Sequence, residues 1–229
     1  MGENAIEKVL CSWSGGKDSA MALREVLARP EYEVIALLTT VTEDYDRISM
    51  HGVRRTLLKQ QAEALRLPLE EIGISKRSSN EEYEFKMGQV LRRYRKAGVT
   101  SVVFGDISLE DLKQYRENNL AKIEMKAIFP LWKRDSRELV QRFIGSGFRA
   151  VVVCVDIQAL DPRFAGREID ESFVRDLPET VDVCGENGEY HSFVYDGPIF
   201  KTKIEHARGE VVLRDGRFCY CDLLPGQPC

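Results

Sequence analysis

Short apolar runs alternate with amphipathic segments through the first 131 residues, and this alternation constrains the fold more than any other feature of the sequence. The apolar runs have the length and the β-branched content of buried strands, and they lie at residues 9–13, 34–40, 69–74, 99–104 and 127–132. Between them lie segments with apolar residues at helical spacing, among them residues 19–28, 53–66 and 83–94. Strands and helices that alternate in this way predict an α/β fold with a parallel sheet.

The second part of the chain does not continue this alternation of strands and helices. Residues 156–188 are rich in loop-forming residues, and the two strand-like segments at 203–213 and 218–224 flank an Asp215-Gly216 turn. An Asp-Gly pair between two such segments is typical of a β-hairpin. We therefore place a domain boundary near Leu131, which predicts a larger α/β domain over residues 1–131 and a smaller α/β domain over residues 132–229.

Charge and hydropathy exclude several classes of protein. The chain carries 33 Lys and Arg against 37 Asp and Glu, a net charge of −4, and the charges are spread along its length. This argues against a polybasic protein that coats nucleic acid or a membrane surface. The longest uncharged stretches are nine residues long, as at residues 34–42, and are far shorter than the roughly 20 residues of a membrane span. We expect no membrane partner, no nucleic-acid partner and, because the N-terminus lacks the pattern of a signal peptide, a cytoplasmic location.

The cysteines are expected to be free thiols. Cys219, Cys221 and Cys229 cluster near the C-terminus, but they lack the Cys-x-x-Cys pair that is typical of zinc or redox centres. We expect no metal there.

A glycine-rich loop, Ser14-Gly15-Gly16-Lys17-Asp18-Ser19, joins the first predicted strand to the first predicted helix. Its glycines allow a tight turn close to a ligand, its lysine brings positive charge, and the following helix points N–H groups at the same place. These features predict a phosphate-binding loop, although the spacing matches neither a Walker A loop nor a Rossmann fingerprint. A glycine turn capped by Asp18 or Ser19 explains the glycines, but not the lysine beside them.

This loop resembles the PP-loop of the N-type ATP pyrophosphatases, enzymes that split ATP into AMP and pyrophosphate. Further blocks resemble the diphthine–ammonia ligase family within that group, and they occur in order along nearly the whole chain. These blocks are SMHGVR at 49–54, VFGDI at 103–107, FPLW at 129–132, GENGEYHSF at 185–193 and DGPIF at 196–200.

The resemblance implies a Rossmann-like parallel sheet of the PP-loop ATP pyrophosphatase type, with a second, smaller α/β domain. It also implies an ATP-dependent ligase that uses Mg²⁺, converts a carboxylate into an acyl-adenylate, and lets ammonia displace AMP to form an amide. ATP and ammonium are then two of the substrates. The acceptor is expected to be diphthine on translation elongation factor 2 if the source is archaeal or eukaryotic, and another carboxylate otherwise.

The site residues that follow from the loop and the resemblance fall into three groups. The expected nucleotide-binding residues are Ser12, Ser14, Gly15, Gly16, Lys17, Asp18, Ser19, Thr39, His51 and Gly105. The expected catalytic residues are Lys17, Asp106, Glu186, Asn187 and Glu189. Asp18 and Asp106 are the expected ligands of a magnesium ion.

Several of these roles have a plainer alternative. Asp106 either orients a metal ion or nucleophile at a strand end, or caps the next helix. Glu186 and Glu189 either hold ammonium and accept its proton, or belong to a polar surface turn. His51 either contacts phosphate or ribose, or caps a turn.

Two other functions also remain open for such a chain. One is a tRNA-modifying PP-loop enzyme of the thiolating type, which the net charge of −4 and the cysteine spacing disfavour. The other is a nucleotide-binding sensor without chemistry. The two glutamates of the 185–193 block argue against a sensor, because AMP binding alone does not require them.

Overall fold

The computed structural model of this protein describes residues 6–49 and 51–226. Its first sheet contains five parallel strands, in the spatial order β4-β2-β1-β5-β6, and a short β3 that pairs antiparallel with the end of β2. The strands are β1 (Glu7–Ser12), β2 (Tyr32–Thr42), β3 (Arg47–Ile48), β4 (Leu69–Ile74), β5 (Ser101–Val103) and β6 (Lys126–Ile128).

Helices cover both faces of this sheet, so that alternate residues of each strand are buried on opposite sides. The crossover helices are α1 (Lys17–Leu27), α2 (Arg55–Leu65), α3 (Asn80–Lys96) and α4 (Glu110–Ala121). Val9 and Cys11 of β1 pack in the core that contains α1 and α2, whereas Leu10 packs in the core that contains residues of α3 and α4. The fold is thus α/β with a doubly wound parallel sheet, which confirms the fold class expected from the sequence.

A second sheet follows α5 (Ser136–Gly145), and all of its strand pairs are antiparallel. Its strands lie in the order β8-β7-β10-β9. They are β7 (Arg149–Asp156), β8 (Tyr190–Asp196), β9 (His206–Arg214) and β10 (Phe218–Pro225), with a short helix α6 (Glu171–Asp176) between β7 and β8. Asp215 and Gly216 have φ values of 51° and 63°, so the predicted hairpin turn is present.

The two sheets share one hydrophobic core. Val151 of β7 and Phe193 of β8 are fully buried in the same cluster as Leu23 of α1 and Leu57 of α2. The second sheet therefore packs on the α1 and α2 side of the first. The domain boundary near Leu131 stays a prediction, because Leu131 itself is buried in this shared cluster.

Some elements carried too little sequence signal to be predicted. β3 has only two residues, and α6 lies within the stretch that was predicted to be loop. Cys219 and Cys221 are buried on β10, while Cys229 lies outside the described residues. Within the described ranges no helix is long and apolar enough to cross a membrane.

Gln61 is the main polar group inside the shared core, and it ties the two sheets together. Its side chain is fully buried on α2. The amide oxygen accepts a hydrogen bond from Trp13 Nε1 at 3.0 Å, and Nε2 donates to the carbonyl oxygens of Gly15 at 3.0 Å and Val194 at 2.6 Å. One amide thus links the end of β1, the glycine-rich loop and β8.

We expect Gln61→Ala to lower the free energy of unfolding by about 2–4 kcal/mol, because it leaves the buried Trp13 N–H and the Val194 carbonyl without a partner. Urea denaturation followed by circular dichroism measures this loss. Glu63→Ala is the matched control, since Glu63 is exposed on the same helix. Equal stability of the two variants would show that the Gln61 amide does not join the sheets.

Candidate active site

The candidate site lies at the carboxyl edge of the parallel sheet, where the strand order reverses between β1 and β5. Open α/β sheets bind their ligands at this position. The glycine-rich loop leaves β1 here, and Gly105 and Asp106 follow β5. The two segments touch, because a Cβ on Gly105 would lie 2.8 Å from the carbonyl carbon of Asp18. Only glycine allows this approach.

The 14–19 loop is held by hydrogen bonds of its own. Gly15 has a φ of +77°, and Gly16 precedes the first residue of α1. The Ser14 hydroxyl accepts a hydrogen bond from the Gly16 N–H at 3.2 Å and lies 3.2 Å from the Ser19 hydroxyl. The turn therefore places the N-terminus of an 11-residue helix at the edge of the sheet, as anion binding requires.

Strand β8 closes over this loop from the second sheet. The Lys17 N–H donates to the Ser192 hydroxyl at 3.1 Å, and the Val194 N–H donates to the Gly15 carbonyl at 2.9 Å. A Cβ on Gly16 would lie 3.1 Å from the Ser192 carbonyl oxygen. The 185–193 block is thus next to the loop, although 166 or more residues separate the two in sequence.

The Lys17 ammonium group lies beneath the loop that precedes β8. It pairs with the Asp18 carboxylate at 2.8 Å, donates to the Cys184 carbonyl, and sits 5.5 Å from the centre of the Tyr190 ring. Burial, the largest single influence, lowers the pKa of Lys17, but the charges of Asp18, Cys184 and Tyr190 and the hydrogen bond to Asp18 together outweigh burial and hold that pKa above its usual value. Lys17 is therefore charged, and a direct phosphate contact for it stays a prediction.

Asp106 is paired with Arg116 of α4. Arg116 Nη2 donates to Asp106 Oδ1 at 3.1 Å, and Nε lies 2.8 Å from Oδ2. Although the charges are paired, Oδ2 is buried and accepts no hydrogen bond of good geometry. Asp106 does not cap α4, whose N-cap is Leu109 with no side-chain cap bond.

The two glutamates of the 185–193 block have different surroundings. Glu186 is half-buried, and its Oε1 accepts hydrogen bonds from the N–H groups of Ile107 at 2.8 Å and Ser108 at 2.9 Å. Its Oε2 accepts none from any residue that the structure describes. Burial raises the pKa of Glu186 above its usual value, and the two N–H groups only partly offset this. Glu186 therefore links the 185–193 block to the segment after β5 through one carboxylate oxygen, while its other oxygen has no described hydrogen bond.

Glu189, by contrast, uses both oxygens inside its own loop. Oε1 accepts hydrogen bonds from the Asp182 N–H and from Asn187 Nδ2, both at 3.0 Å, and Oε2 accepts one from the Asn187 N–H at 2.9 Å. Its side chain is 6% exposed. These contacts hold the shape of the loop, so a catalytic role for Glu189 and Asn187 stays a prediction.

Two histidine rings lie against the loop from opposite sheets. The ring centres of His51 and His191 are 4.5 Å apart, and a Cβ on Gly16 would lie 3.1 Å from His51 Nε2. Burial and, to a smaller degree, the nearby Lys17 charge lower the pKa of His191 to about 4. Burial and the neighbouring His191 also hold the pKa of His51 well below its usual range. Both rings are neutral at pH 7.

A cavity of about 360 Å³ opens beside the loop, between α3 and α4. Ser12, Leu38 and Phe104 line it from the ends of β1 and β2 and from just after β5, and Arg116 lines it from α4. We call it the strand-end cavity. Its apolar walls and its place at the switch in strand order suit a nucleoside. Of the predicted nucleotide-binding residues, Ser12 lines this cavity. Thr39 does not line it, and its side chain is buried within β2.

The donor set at the strand ends fits a magnesium ion. Mg²⁺ is usually held by one or two carboxylates together with substrate phosphates and water, not by a full protein cage. Asp18 and Asp106 are such carboxylates, and the buried Oδ2 of Asp106 has no hydrogen bond. No cluster of three or more potential metal ligands occurs among residues 6–49 and 51–226, so the described side chains form no full protein cage.

The structure thus brings together most of the predicted site residues, and it adds others that the sequence analysis missed. Gln61 and Arg116 each contact a predicted residue. Tyr190, His191 and Ser192 also do so, and all three belong to the quoted 185–193 block, so the resemblance had already pointed to that part of the chain. Nothing in the sequence distinguished Gln61 or Arg116 from other helix residues.

We expect the free energy of unfolding to fall by about 2–3 kcal/mol as the pH drops from about 6.5 to about 4, because of the lowered pKa of His191 alone. In this window the unfolded chain binds a proton on His191 and the folded chain does not, so acid favours unfolding. Urea denaturation at a series of pH values measures the effect. His191→Gln should show a shallower pH dependence, and an unchanged slope would contradict a neutral buried His191.

Family models and curated relatives agree on what this chain is similar to. The Diphthamide synthase N-terminal domain matches residues 7–127, and the Diphthamide synthase C-terminal domain matches residues 135–222. The diphthine–ammonia ligase of Bos taurus is 29% identical over 87% of this chain and 82% of its own length, and that of Homo sapiens is 28% identical over 87% and 83%. The diphthine–ammonia ligase of Schizosaccharomyces pombe is 27% identical over 96% of this chain but only 41% of its own length.

Among solved structures, the U34-tRNA thiolase NcsA of Methanococcus maripaludis has a TM-score of 0.37 and 18% identity, over 62% of this chain and 58% of its own. The two family models occur in order and together span both sheets and the loop that joins them at the site. The chain belongs to the diphthamide synthase family.

Proposed function

We propose that this protein is an ATP-dependent carboxylate–ammonia ligase that forms an amide through an acyl-adenylate. The observation that carries the proposal is the contact of the 185–193 block with the 14–19 loop, because it places a half-buried carboxylate beside a phosphate-binding helix N-terminus. The names of the relatives, diphthine–ammonia ligases, support the same reaction.

The first half-reaction activates the acceptor. A carboxylate oxygen of the acceptor attacks the α-phosphorus of ATP, the bond from that phosphorus to the β-phosphate oxygen breaks, and pyrophosphate leaves. The N–H groups of Asp18 and Ser19, in the first turn of α1, have no intrahelical acceptor and can hold the phosphate oxygens. The charge of Lys17 lies just below and stabilises the negative charge that develops on pyrophosphate.

Asp18 and Asp106 would hold the magnesium ion that accompanies ATP. When bound, the ion would neutralise part of the negative charge of the phosphates. Arg116 keeps the buried Asp106 carboxylate oriented toward the strand ends. These two roles are proposals for this chain, as is the use of ATP itself.

The second half-reaction uses ammonia. The nitrogen attacks the acyl carbon, the bond to the AMP oxygen breaks, and AMP leaves with the electron pair. Ammonium must first lose a proton, because its nitrogen has no free electron pair. Glu186 suits this step better than Glu189, since its Oε2 is free and burial raises its pKa toward neutrality. Glu189 and Asn187 act as positioning residues for the loop that carries Glu186.

We propose that the acceptor is a diphthine-modified protein, because the relatives are named diphthine–ammonia ligases. For an archaeal or eukaryotic source, the family resemblance implies that this protein is translation elongation factor 2. A cytoplasmic location belongs to the same proposal. A tRNA-thiolating function is less favoured, because the family match covers both parts of the chain. A sensor without chemistry is also less favoured, because a sensor has no need of the free Glu186 oxygen.

The products of ATP distinguish this reaction from other ATP-dependent ligations. With elongation factor 2 carrying diphthine and with ammonium, we expect AMP and pyrophosphate in equal amounts, and amide formation in the same amount. Chromatography of the nucleotides and mass spectrometry of the protein measure all three. A turnover that yields ADP and phosphate would reject the adenylate mechanism.

Glu186→Gln should separate the two half-reactions. The new amide oxygen can still accept the Ile107 and Ser108 N–H groups, but the side chain can no longer take a proton. We expect ammonia-dependent amide formation to fall by about 10²–10⁴-fold while ATP affinity, measured by calorimetry, stays within a factor of about 2.

Glu179→Gln is the control for that variant, because it makes the same change at an exposed position before the block. It should behave as the unchanged protein does. Full amide-forming activity of Glu186→Gln would remove Glu186 from the ammonia step.

A further inference from the structure

A second and larger cavity, of about 710 Å³, lies between the carboxyl edge of the first sheet and the β9–β10 hairpin. Its wall includes residues after β3, the 74–80 loop after β4, and Tyr220 of β10. The wall is closely packed where the two sheets meet, since a Cβ on Gly52 would lie 2.7 Å from the Tyr220 ring. We call this space the hairpin cavity.

The hairpin cavity adjoins both parts of the proposed ATP site. His191 lines it, and the His191 ring packs on His51, which touches Gly16 of the loop. The cavity is thus separated from the phosphate-binding loop by the histidine pair. Tyr83 of α3 lines both the hairpin cavity and the strand-end cavity, so the two spaces meet at one side chain.

Two positive charges line the hairpin cavity from opposite sides. Lys76 follows β4, and Arg214 ends β9. Neither forms an ion pair with any described residue, whereas Arg47, which also lines the cavity, is committed to Asp222 at 2.8 Å. Lys76 lies 5.4 Å from the centre of the Tyr45 ring, which holds it over the cavity.

The charge of the cavity is mixed, because Glu210 and Asp215 of the hairpin also line it. A mixed lining does not suit a polyanion such as nucleic acid, since the phosphates would meet the carboxylates. It suits a single carboxylate group, such as the one on the diphthine side chain of the acceptor, which the two cations can attract.

We propose that the hairpin cavity receives the carboxylate-bearing acceptor, and that Lys76 and Arg214 draw its carboxylate in toward the histidine pair. This inference rests on the proposed amide-forming function, since it names the acceptor side of that site. Both cations are exposed, so they act by attraction over several ångströms.

The test compares acceptor kinetics with ATP binding. Elongation factor 2 carrying diphthine is the acceptor, ammonium and ATP are saturating, and mass spectrometry follows the amide. We expect Lys76→Ala/Arg214→Ala to raise the KM for the acceptor by roughly 10-fold or more, with kcat and ATP affinity nearly unchanged. In the unchanged protein KM should rise with salt, and in the variant this dependence should weaken, because salt screens exposed charges.

Matched variants separate attraction from loss of structure. Lys76→Arg/Arg214→Lys keeps both charges and should keep the original KM. Lys201→Ala/Arg137→Ala removes two exposed charges that do not line the cavity, and it should also keep the original KM. The same ratios are expected with a short peptide that carries diphthine, because the cations act on its carboxylate. An effect seen only with the intact protein would overturn the inference.

The remaining outcomes are distinct. If Lys76→Ala/Arg214→Ala forms amide with the original KM and salt dependence, the inference is wrong and the proposed function stands. If the unchanged protein binds ATP but forms neither AMP nor amide with this acceptor, the proposed function fails, and the acceptor assignment fails with it.

Discussion

The contact of β8 with the glycine-rich loop is the constraint on which the rest of the site depends. The loop's own residues provide a turn and a helix N-terminus, but Ser192 and Val194 fix its backbone from the second sheet. Gln61 completes this contact from α2 and satisfies Trp13 at the same time. Since each partner is buried, separating the sheets would leave several polar groups unpaired, at a cost of about 1–3 kcal/mol each. The loop therefore keeps its shape only while the two sheets stay together.

Two of the close contacts around the loop depend on the small size of glycine. A Cβ on Gly16 would lie 3.1 Å from both the Ser192 carbonyl oxygen and His51 Nε2, so a neighbour would have to shift slightly. A Cβ on Gly105 would lie closer still to Asp18, at 2.8 Å. These close approaches bring the segments after β1 and β5 to the same point as the 185–193 block. The reversal of strand order between β1 and β5 leaves a crevice at the carboxyl edge of the sheet, and the glycines allow the backbone of both segments to approach closely there.

The sequence predicted the fold better than it predicted the site. Strands such as β4 are bounded by clear turn residues and have a regular pattern, so their positions follow from local physics. The placement of Lys17 does not: its charge suggested a phosphate contact, yet its ammonium group points under the loop to Asp18 and the Cys184 carbonyl. That geometry depends on a segment 167 residues away, which no local pattern encodes. Gln61 was missed for the same reason, because its three partners lie 46 to 133 residues away in the sequence.

Glu186 and Glu189 lie in the same short block, but their side chains have different hydrogen-bond partners. Glu189 faces inward, where three N–H donors use both of its oxygens and make it part of the loop. Glu186 faces the segment after β5, where two N–H donors hold one oxygen and burial raises its pKa. A carboxylate that is fixed by one oxygen and free at the other can hold a proton without moving, which a fully bonded carboxylate cannot do. The same folding contact that joins the block to the first sheet thus leaves one Glu186 oxygen available for the proton transfer that we propose.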